Sequence, residues 1–318
     1  MSARKSSRVS YVPARAVVKE VERISPNFAR ITLTGPEVNR IGTPNDVYDV
    51  RIKVGFPPSG GTLPDFTTSG PEGWQEYFAL PTAERGPIRT LSIRELRVDG
   101  ADTELVIDFV LHLEPGATGP ASRWAARAVP GDEVIVLGPQ RGRTDRSGIE
   151  YDPGDATTVV LAGDETAAPA IARILEDAPR DLQGVAFVEV PEYADQLAID
   201  APPDVEVRWL PRSGSPHGTR LLPAVLNYLD APAPEHALVS DTEIAAAEGV
   251  DLVWETPGYS GLGEPVFGTM PNARRYFWIA GESGVVTTLR RHLVNELGID
   301  RGQVAFMGYW RRGVAMAG

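Results

Sequence analysis

The chain has 318 residues and a net charge of −12; 42% of it is apolar, 23% charged, and none of it cysteine. Such a length suggests two domains whose cores stand without disulfides or a structural metal. The missing thiol excludes cysteine-ligated zinc, iron–sulfur clusters and a thiol nucleophile. An acidic chain exerts no long-range pull on nucleic acid or anionic lipid. No apolar run approaches the ~20 residues of a membrane span, and the basic start MSARKSSRVS lacks the apolar stretch of a signal peptide. A soluble cytoplasmic protein with no nucleic-acid or membrane partner is therefore expected.

Residues 14–138 read as strands with period-2 alternation: AVVKEVERI, FARITLTG, VYDVRIKVG, RTLSIREL, ELVIDFVLHL and EVIVLGP. A Pro/Gly/Ser-rich connection from Pro57 to Pro87 separates the third from the fourth. One helix, PASRWAARAV, interrupts the series with Pro120 at its first position. Six strands and one helix predict a small antiparallel barrel. From Thr157 the rhythm changes to TTVVLAGDE, the helical TAAPAIARILEDA, then GVAFVEV, VEVRWL, HALVS and RYFWIAGE. The helix SGVVTTLRRHLVNEL and the strand QVAFMGYW follow. Alternating strand and helix predict a parallel, doubly wound sheet. The boundary is expected between Gly138 and Asp155, dividing the chain into 1–150 and 151–318. WETPGYSGLGEPVFGTM (254–270) reads as an excursion in the second domain. Residues 1–150 carry 19 Lys+Arg and 19 Asp+Glu, so the whole net charge lies in the second half. Within that half, 272–318 is basic, with seven Arg against three acids.

A barrel followed by a doubly wound domain suits a flavin held against a nicotinamide, an analogy that particular residues must carry. Arg89-Thr90-Leu91-Ser92 places an arginine on a strand, where it can clamp a diphosphate, and a hydroxyl able to reach a flavin edge. Gly119-Pro120-Ala121-Ser122 opens a helix with small side chains, so its N–H groups suit a pyrophosphate. Trp124, one turn in, belongs to the core or borders an adenine, and His112 ends an apolar strand as a structural residue or a base. Ala162-Gly163-Asp164-Glu165-Thr166 stands where nucleotide folds place their ligand, yet it is not G-x-G-x-x-G. Its acids cap a helix and would repel a phosphate, so the turn suits a nicotinamide ring instead. Ala280-Gly281-Glu282-Ser283 repeats that layout. Arg212-Ser213 follow VEVRWL, where an arginine and a hydroxyl suit a 2′-phosphate and predict NADPH over NADH.

In order and wording these segments resemble the siderophore-interacting proteins, a branch of the ferredoxin-reductase-like flavoproteins, from about Val17 to Gly313. The resemblance rests on Arg89 to Ser92, DFVLH (108–112), GPASRWA (119–125) and AGDETAAPAIARIL (162–175), with AGE (280–282), LRRHL (289–293) and GYWRRG (308–313). It implies an FAD-dependent ferric-siderophore reductase of iron acquisition, passing electrons from NADPH or NADH through FAD to chelated Fe(III) and releasing Fe(II). The flavin carries the chemistry, so neither a catalytic side chain nor a resident metal is expected. FAD contacts are implied for Arg89, Thr90, Leu91, Ser92, His112, Leu113, Gly119, Pro120, Ala121, Ser122, Trp124 and Thr166. Nicotinamide contacts are implied for Gly163, Asp164, Glu165, Arg212, Ser213, Gly281 and Glu282. A siderophore contact is implied for Lys53; Arg141, Arg143, Arg311 and Arg312 are its expected basic companions, with Lys53, Arg143 and Arg311 converging near the flavin edge because attraction of an anionic chelate must be local in so acidic a chain. Leu91 stands where the family carries a flavin-stacking tyrosine. Two other readings stay open: a flavin reductase serving a protein acceptor, and a non-enzymatic siderophore carrier. Ferredoxin is the alternative donor. The short stretch after GYWRRG, lacking the C-terminal helix of part of this family, favours a nicotinamide instead.

Overall fold

The computed structural model describes residues 11–43, 46–65, 70–113, 118–230, 252–260, 268 and 272–313. Seven antiparallel strands make the first sheet: β1 (Tyr11–Ser25), β2 (Phe28–Thr34), β3 (Arg51–Gly55), β4 (Ile88–Ser92), β5 (Glu95–Asp99), β6 (Asp102–Val110) and β7 (Glu133–Pro139). Their order is β4-β3-β7-β1-β2-β6-β5. The six expected strands become seven because RTLSIREL bends at Ile93 and Arg94. Its first half pairs with β3 and its second with β6. At the bend the Ile93 N–H donates to the Val50 carbonyl (3.0 Å) and the Arg94 N–H to that of Val106 (2.9 Å). One segment thus borders both edges, and the sheet curls round a core that includes Ile31, Leu33, Ile52, Phe56, Ile93 and Phe109. Burying each such side chain contributes about 1.5–3 kcal/mol.

The connection from Pro57 to Pro87 is not a plain loop. It carries α1 (Gly70–Ala79) and α2 (Thr82–Arg85), and Tyr77 of α1 is fully buried with its hydroxyl donating to the Arg85 carbonyl (2.8 Å). Trp74, Tyr77 and Phe78 recur at helical spacing and pack on Ile88 and Ile135. The helix α3 (Pro120–Ala125) is shorter than PASRWAARAV.

The second sheet contains β8 (Thr158–Gly163), β9 (Gln183–Val190), β10 (Asp204–Pro211), β11 (Trp254–Thr256), β12 (Tyr259–Ser260), β13 (Arg275–Glu282) and β14 (Val304–Trp310). In the order β10-β9-β8-β13-β14-β11-β12, the first five are parallel, while β11 runs antiparallel to β14 and β12. Alternate residues of the run VVLA face opposite sides. Val159 and Leu161 pack under α4 (Ala168–Asp177), Val160 and Ala162 under α5 (Leu221–Tyr228) and α6 (Ser283–Arg290). Chain order reverses between β8 and β13, which is the switch point where such sheets place ligands. The last expected helix ends at Arg290 and continues as a π-helical stretch, Arg291–Glu296. HALVS (236–240) lies outside the described residues, as does most of 261–271, while the first part of that excursion forms β11 and β12. No helix of the described residues is long and apolar enough to cross a membrane.

Carboxylates pin the two sheets together. Asp49 accepts from Trp278 Nε1 (2.9 Å), and Asp177 from the N–H groups of Val47 and Tyr48 (both 2.8 Å). Glu176 holds Arg94 through two bonds of 2.6 Å. Asp195 accepts from Ser25 Oγ (2.7 Å) and from the backbone and side-chain N–H groups of Asn27 (2.9 and 2.8 Å). Burial pushes the Asp49 carboxyl up, against the pull of Trp278 and the backbone N–H groups that favour its ionised form.

Candidate functional site

Arg89 lies in β4 opposite Val54, with Nη1 donating to the adjacent Ile88 carbonyl (2.6 Å). Burial and the nearby charge of Arg123, on α3, both depress its pKa. Arg123 donates to the Thr118 carbonyl. Among the described residues neither arginine has a carboxylate partner. The N-cap of α3 is Gly119, whose missing Cβ would meet nothing within 4 Å, and Pro120 occupies the first turn. Two guanidinium groups beside an open helix start suit a diphosphate, so this set fits the pyrophosphate of FAD.

The neighbouring residues divide by role. Ser122 is buried and its hydroxyl donates to the Val110 carbonyl (2.8 Å), which ties α3 to β6 and leaves only its backbone for a ligand. Trp124 packs against Phe56 and Phe109, at 5.3 and 5.6 Å between ring centroids. It also lines an open cleft of about 360 Å³ with Pro57 and Arg127, so the core role and a solvent-facing edge coexist. Leu91 and Ala121 pack against the barrel core. Thr90 is exposed opposite Lys53, Ser92 lies opposite Arg51, and Leu113 is exposed.

At the C-terminal edge of the second sheet, Glu165 is fully buried and collects donors from both halves of the chain. Its Oε1 meets Nε2 of His112 (2.9 Å) and of His217 (3.0 Å), and Arg212 donates to both carboxylate oxygens (2.5 and 2.8 Å). Arg312 lies 3.3 Å from Nδ1 of His217; arginine only donates, so this nitrogen accepts and Nε2 carries the proton toward Glu165. Burial alone would raise Glu165, but bonds from His112, His217 and Arg212 outweigh it and hold the carboxyl well below the usual range. Burial pulls His112 down, yet the bond and charge of Glu165 leave it above the ordinary histidine value. His112, for which the resemblance implies an FAD contact, is thus bonded across the junction to Glu165. Arg212 is buried with both terminal nitrogens on Glu165, and Ser213 adopts φ of 50°, so this pair does not present a 2′-phosphate site.

Asp164 is the second hub. It accepts from the N–H and hydroxyl of Thr166 (2.9 and 2.5 Å), the N–H of Glu282 (2.7 Å) and Trp310 Nε1 (2.8 Å). Thr166 is therefore bonded within its own turn. Glu282 caps α6 by accepting from the Val285 N–H (3.0 Å). Gly281, at φ of 140°, is required there: a Cβ would lie 2.7 Å from the Asp164 carboxylate. Gly163 admits α4 just as closely, since a Cβ would stand 2.5 Å from that of Ala167.

The five bases expected to share a siderophore rim have separate surroundings. Arg141 donates to Thr103 and to the Ala101 carbonyl (3.3 Å). Arg143 is buried under the Tyr11 ring and donates to the Ser147 carbonyl (2.6 Å), so it is part of the barrel wall. Arg311 is buried, and Arg312 sits beside His217. Lys53 is half-buried without a carboxylate partner among the described residues; burial, then the charge of Arg51, lowers its pKa. Arg51 itself lies 4.3 Å over the Trp254 ring. Arg51, Arg123, Glu189, His217 and Trp310 are the participants that residue-by-residue reading passed over. An acid inside the buried apolar run GVAFVEV was the one signal for Glu189.

Residues 17–143 match the family model described as the siderophore-interacting FAD-binding domain, and residues 156–313 that described as siderophore-interacting protein. The ferric vibriobactin reductase ViuB of Vibrio cholerae is 28% identical over 292 residues, covering 91% of this chain and 86% of that one. An NADPH-dependent ferric-chelate reductase of Escherichia coli is 30% identical over 223 residues, 69% of this chain and 77% of that one. A siderophore utilization protein from T. fusca superposes with a TM-score of 0.65 at 30% identity, covering 96% and 95% of the two chains.

Proposed function

The chain belongs to the siderophore-interacting protein family, as an FAD-binding oxidoreductase, and from that premise we propose that it reduces ferric siderophores in the cytoplasm with electrons from NAD(P)H. The observation that carries this reading is the Arg89–Arg123 pair, two cations without carboxylate partners beside the open start of α3. These residues would hold the FAD pyrophosphate, with Leu91 and Ser92 on the same strand facing opposite sides of the sheet. When bound, FAD supplies the exchange between a two-electron donor and a one-electron acceptor. The chain's own work is binding and exclusion. Asp164, Glu165 and their partners fix the junction of the sheets, and Lys53 offers a local positive charge to an anionic chelate despite the net charge. Reduced ferredoxin is the alternative donor, and the division between the two domains falls at residue 150.

An anaerobic assay with NAD(P)H, a ferric chelate and a dye that traps Fe(II) tests the proposal. Trapped Fe(II) together with flavin bleaching is the expected result. Bleaching without Fe(II) would replace it by a reductase serving a protein acceptor. Neither signal would leave a carrier.

A further inference from the structure

A strand at the rim of a sheet keeps one row of N–H and C=O groups unpaired, and proteins either blunt that row or use it to add another strand. Among the described residues β10 is such a rim: it pairs with β9 on one side, and no strand flanks the other. Backbone groups alternate in direction along a strand. Arg212, one residue past β10, donates to the Val190 carbonyl of β9 (2.8 Å), so the even-numbered residues of β10 turn their backbone groups inward. Those of Val205, Val207 and Trp209 therefore face outward. The Val205 N–H bends back to the Pro202 carbonyl (3.0 Å), and Pro211 has no N–H to offer. The free donors of this rim are those of Val207 and Trp209.

The side chains of the same strand complement a second copy of themselves. Glu206 is exposed and Arg208 half-buried, and Arg208 donates to Glu206 (2.6 Å). The guanidinium lies on the α5 side of the sheet, 5.4 Å from the Phe187 ring and 5.6 Å from that of Tyr228. Opposite charges two residues apart meet the reverse pair when the strand runs antiparallel to itself about Val207. Each Glu206 then opposes Arg208 of the second copy, at the close, non-hydrogen-bonded positions of the ladder. A guanidinium has donors enough for both carboxylates. On the other face Val207 meets Val207, and the half-buried Trp209 meets Val205. The Val207 N–H reaches the Val207 carbonyl of the second copy and the Trp209 N–H its Val205 carbonyl, so every free donor of the rim is used. An axis through Glu206 or Arg208 would set like charges together, so the charges select this register.

We propose that β10 joins two copies of this chain into a two-fold dimer with one continuous sheet, in a register set by Glu206 and Arg208. The contact is a single strand pair, smaller than the interfaces of permanent dimers, and each copy carries a net charge of −12. The dimer is therefore reversible and forms as concentration rises. The test is sedimentation of the FAD-loaded protein from micromolar to near-millimolar concentration, with amide hydrogen exchange at both ends of the range. A monomer–dimer equilibrium is expected, with protection of the Val207 and Trp209 amides rising as the dimer forms. Glu206→Arg should weaken association about tenfold, because both symmetry-related pairs turn repulsive, and adding Arg208→Glu should restore it by exchanging the charges. Val207→Pro should abolish the dimer and keep the fold, since β9 does not use that N–H. A chain that stays monomeric throughout overturns the proposal, and so does a dimer that ignores the charge exchange. Val207 and Trp209 amides already protected in dilute solution would overturn it too, by placing another segment of the same chain on the rim. The exchange series needs no variant, so it decides even if a substitution fails to fold.

Discussion

In the barrel half, Arg89 and Arg123 stand beside a helix that begins with a bare glycine, and no described carboxylate answers either of them. At the edge of the second sheet, Glu189 takes the first N–H of α5 and Glu282 one in the first turn of α6, while Asp164 ties the turn before α4 through Thr166. The same backbone feature is therefore left open to an anion in one half and closed by an acid in the other. The difference is written in the turn residues: Gly119-Pro120 supplies no side-chain cap, whereas Gly163-Asp164-Glu165 and Gly281-Glu282 supply acids.

The acidic side of this comparison breaks most visibly at its deepest carboxylate. Glu165→Ala leaves Arg212 buried without its partner, at an expected loss of about 3–5 kcal/mol in denaturant unfolding. A second change, Arg212→Leu, should recover part of that loss. A loss near zero for Glu165→Ala would mean that the cluster is not a working ion pair.

The basic side is tested by Arg89→Ala. Losing one charge-assisted contact to FAD should cost about 1.5–3 kcal/mol, or roughly ten- to a hundredfold in affinity by flavin fluorescence titration. Arg123→Ala should act in the same direction but less, since that side chain is exposed. Unchanged FAD retention in both variants would remove the cradle from the account.

His112 joins the two regions, and its protonation sets how firmly. With a folded pKa raised above the unfolded value of about 6.5, its stabilisation is fully present below that pH and lost as pH rises through the folded value. The melting temperature of His112→Gln should therefore lag the parent most near pH 6, by about 2 °C, and least near pH 9. A gap independent of pH contradicts the Glu165–His112 assignment.

Lys53→Ala carries the smallest expected effect. Its half-buried ammonium should contribute up to ~1 kcal/mol to an anionic ferric chelate, raising KM several-fold at low salt and little at high salt. Flavin reduction by nicotinamide should not change. Equal losses in both half-reactions would place Lys53 outside the chelate surface.

Period-2 alternation made the strands of the first sheet legible because one of its faces is buried, while the central strands of the second, buried on both faces, read as apolar runs. The bend inside RTLSIREL left no such mark: a corner at Ile93 and Arg94 keeps the apolar pattern while switching partners. The helix α1 was hidden because flanking Pro and Gly read as loop, although Trp74, Tyr77 and Phe78 had helical spacing. At the site, the acids at 164, 165 and 282 and the arginine at 89 were visible as residue types at strand ends. Their partners were not. Arg212 looked free for a phosphate, and only the fold brings it against Glu165, 47 residues earlier. His112 and His217 likewise gain their shared acceptor from packing between elements distant in the chain.

The most direct test of ferric-siderophore reduction is a single turnover without oxygen. The FAD-loaded protein is reduced chemically, freed of excess reductant and mixed with a ferric hydroxamate or catecholate chelate in the presence of the Fe(II)-trapping dye. The account predicts that flavin colour returns as the Fe(II) complex forms, with two Fe(II) trapped for each flavin reoxidised. A flavin that stays reduced beside an intact ferric chelate would contradict it.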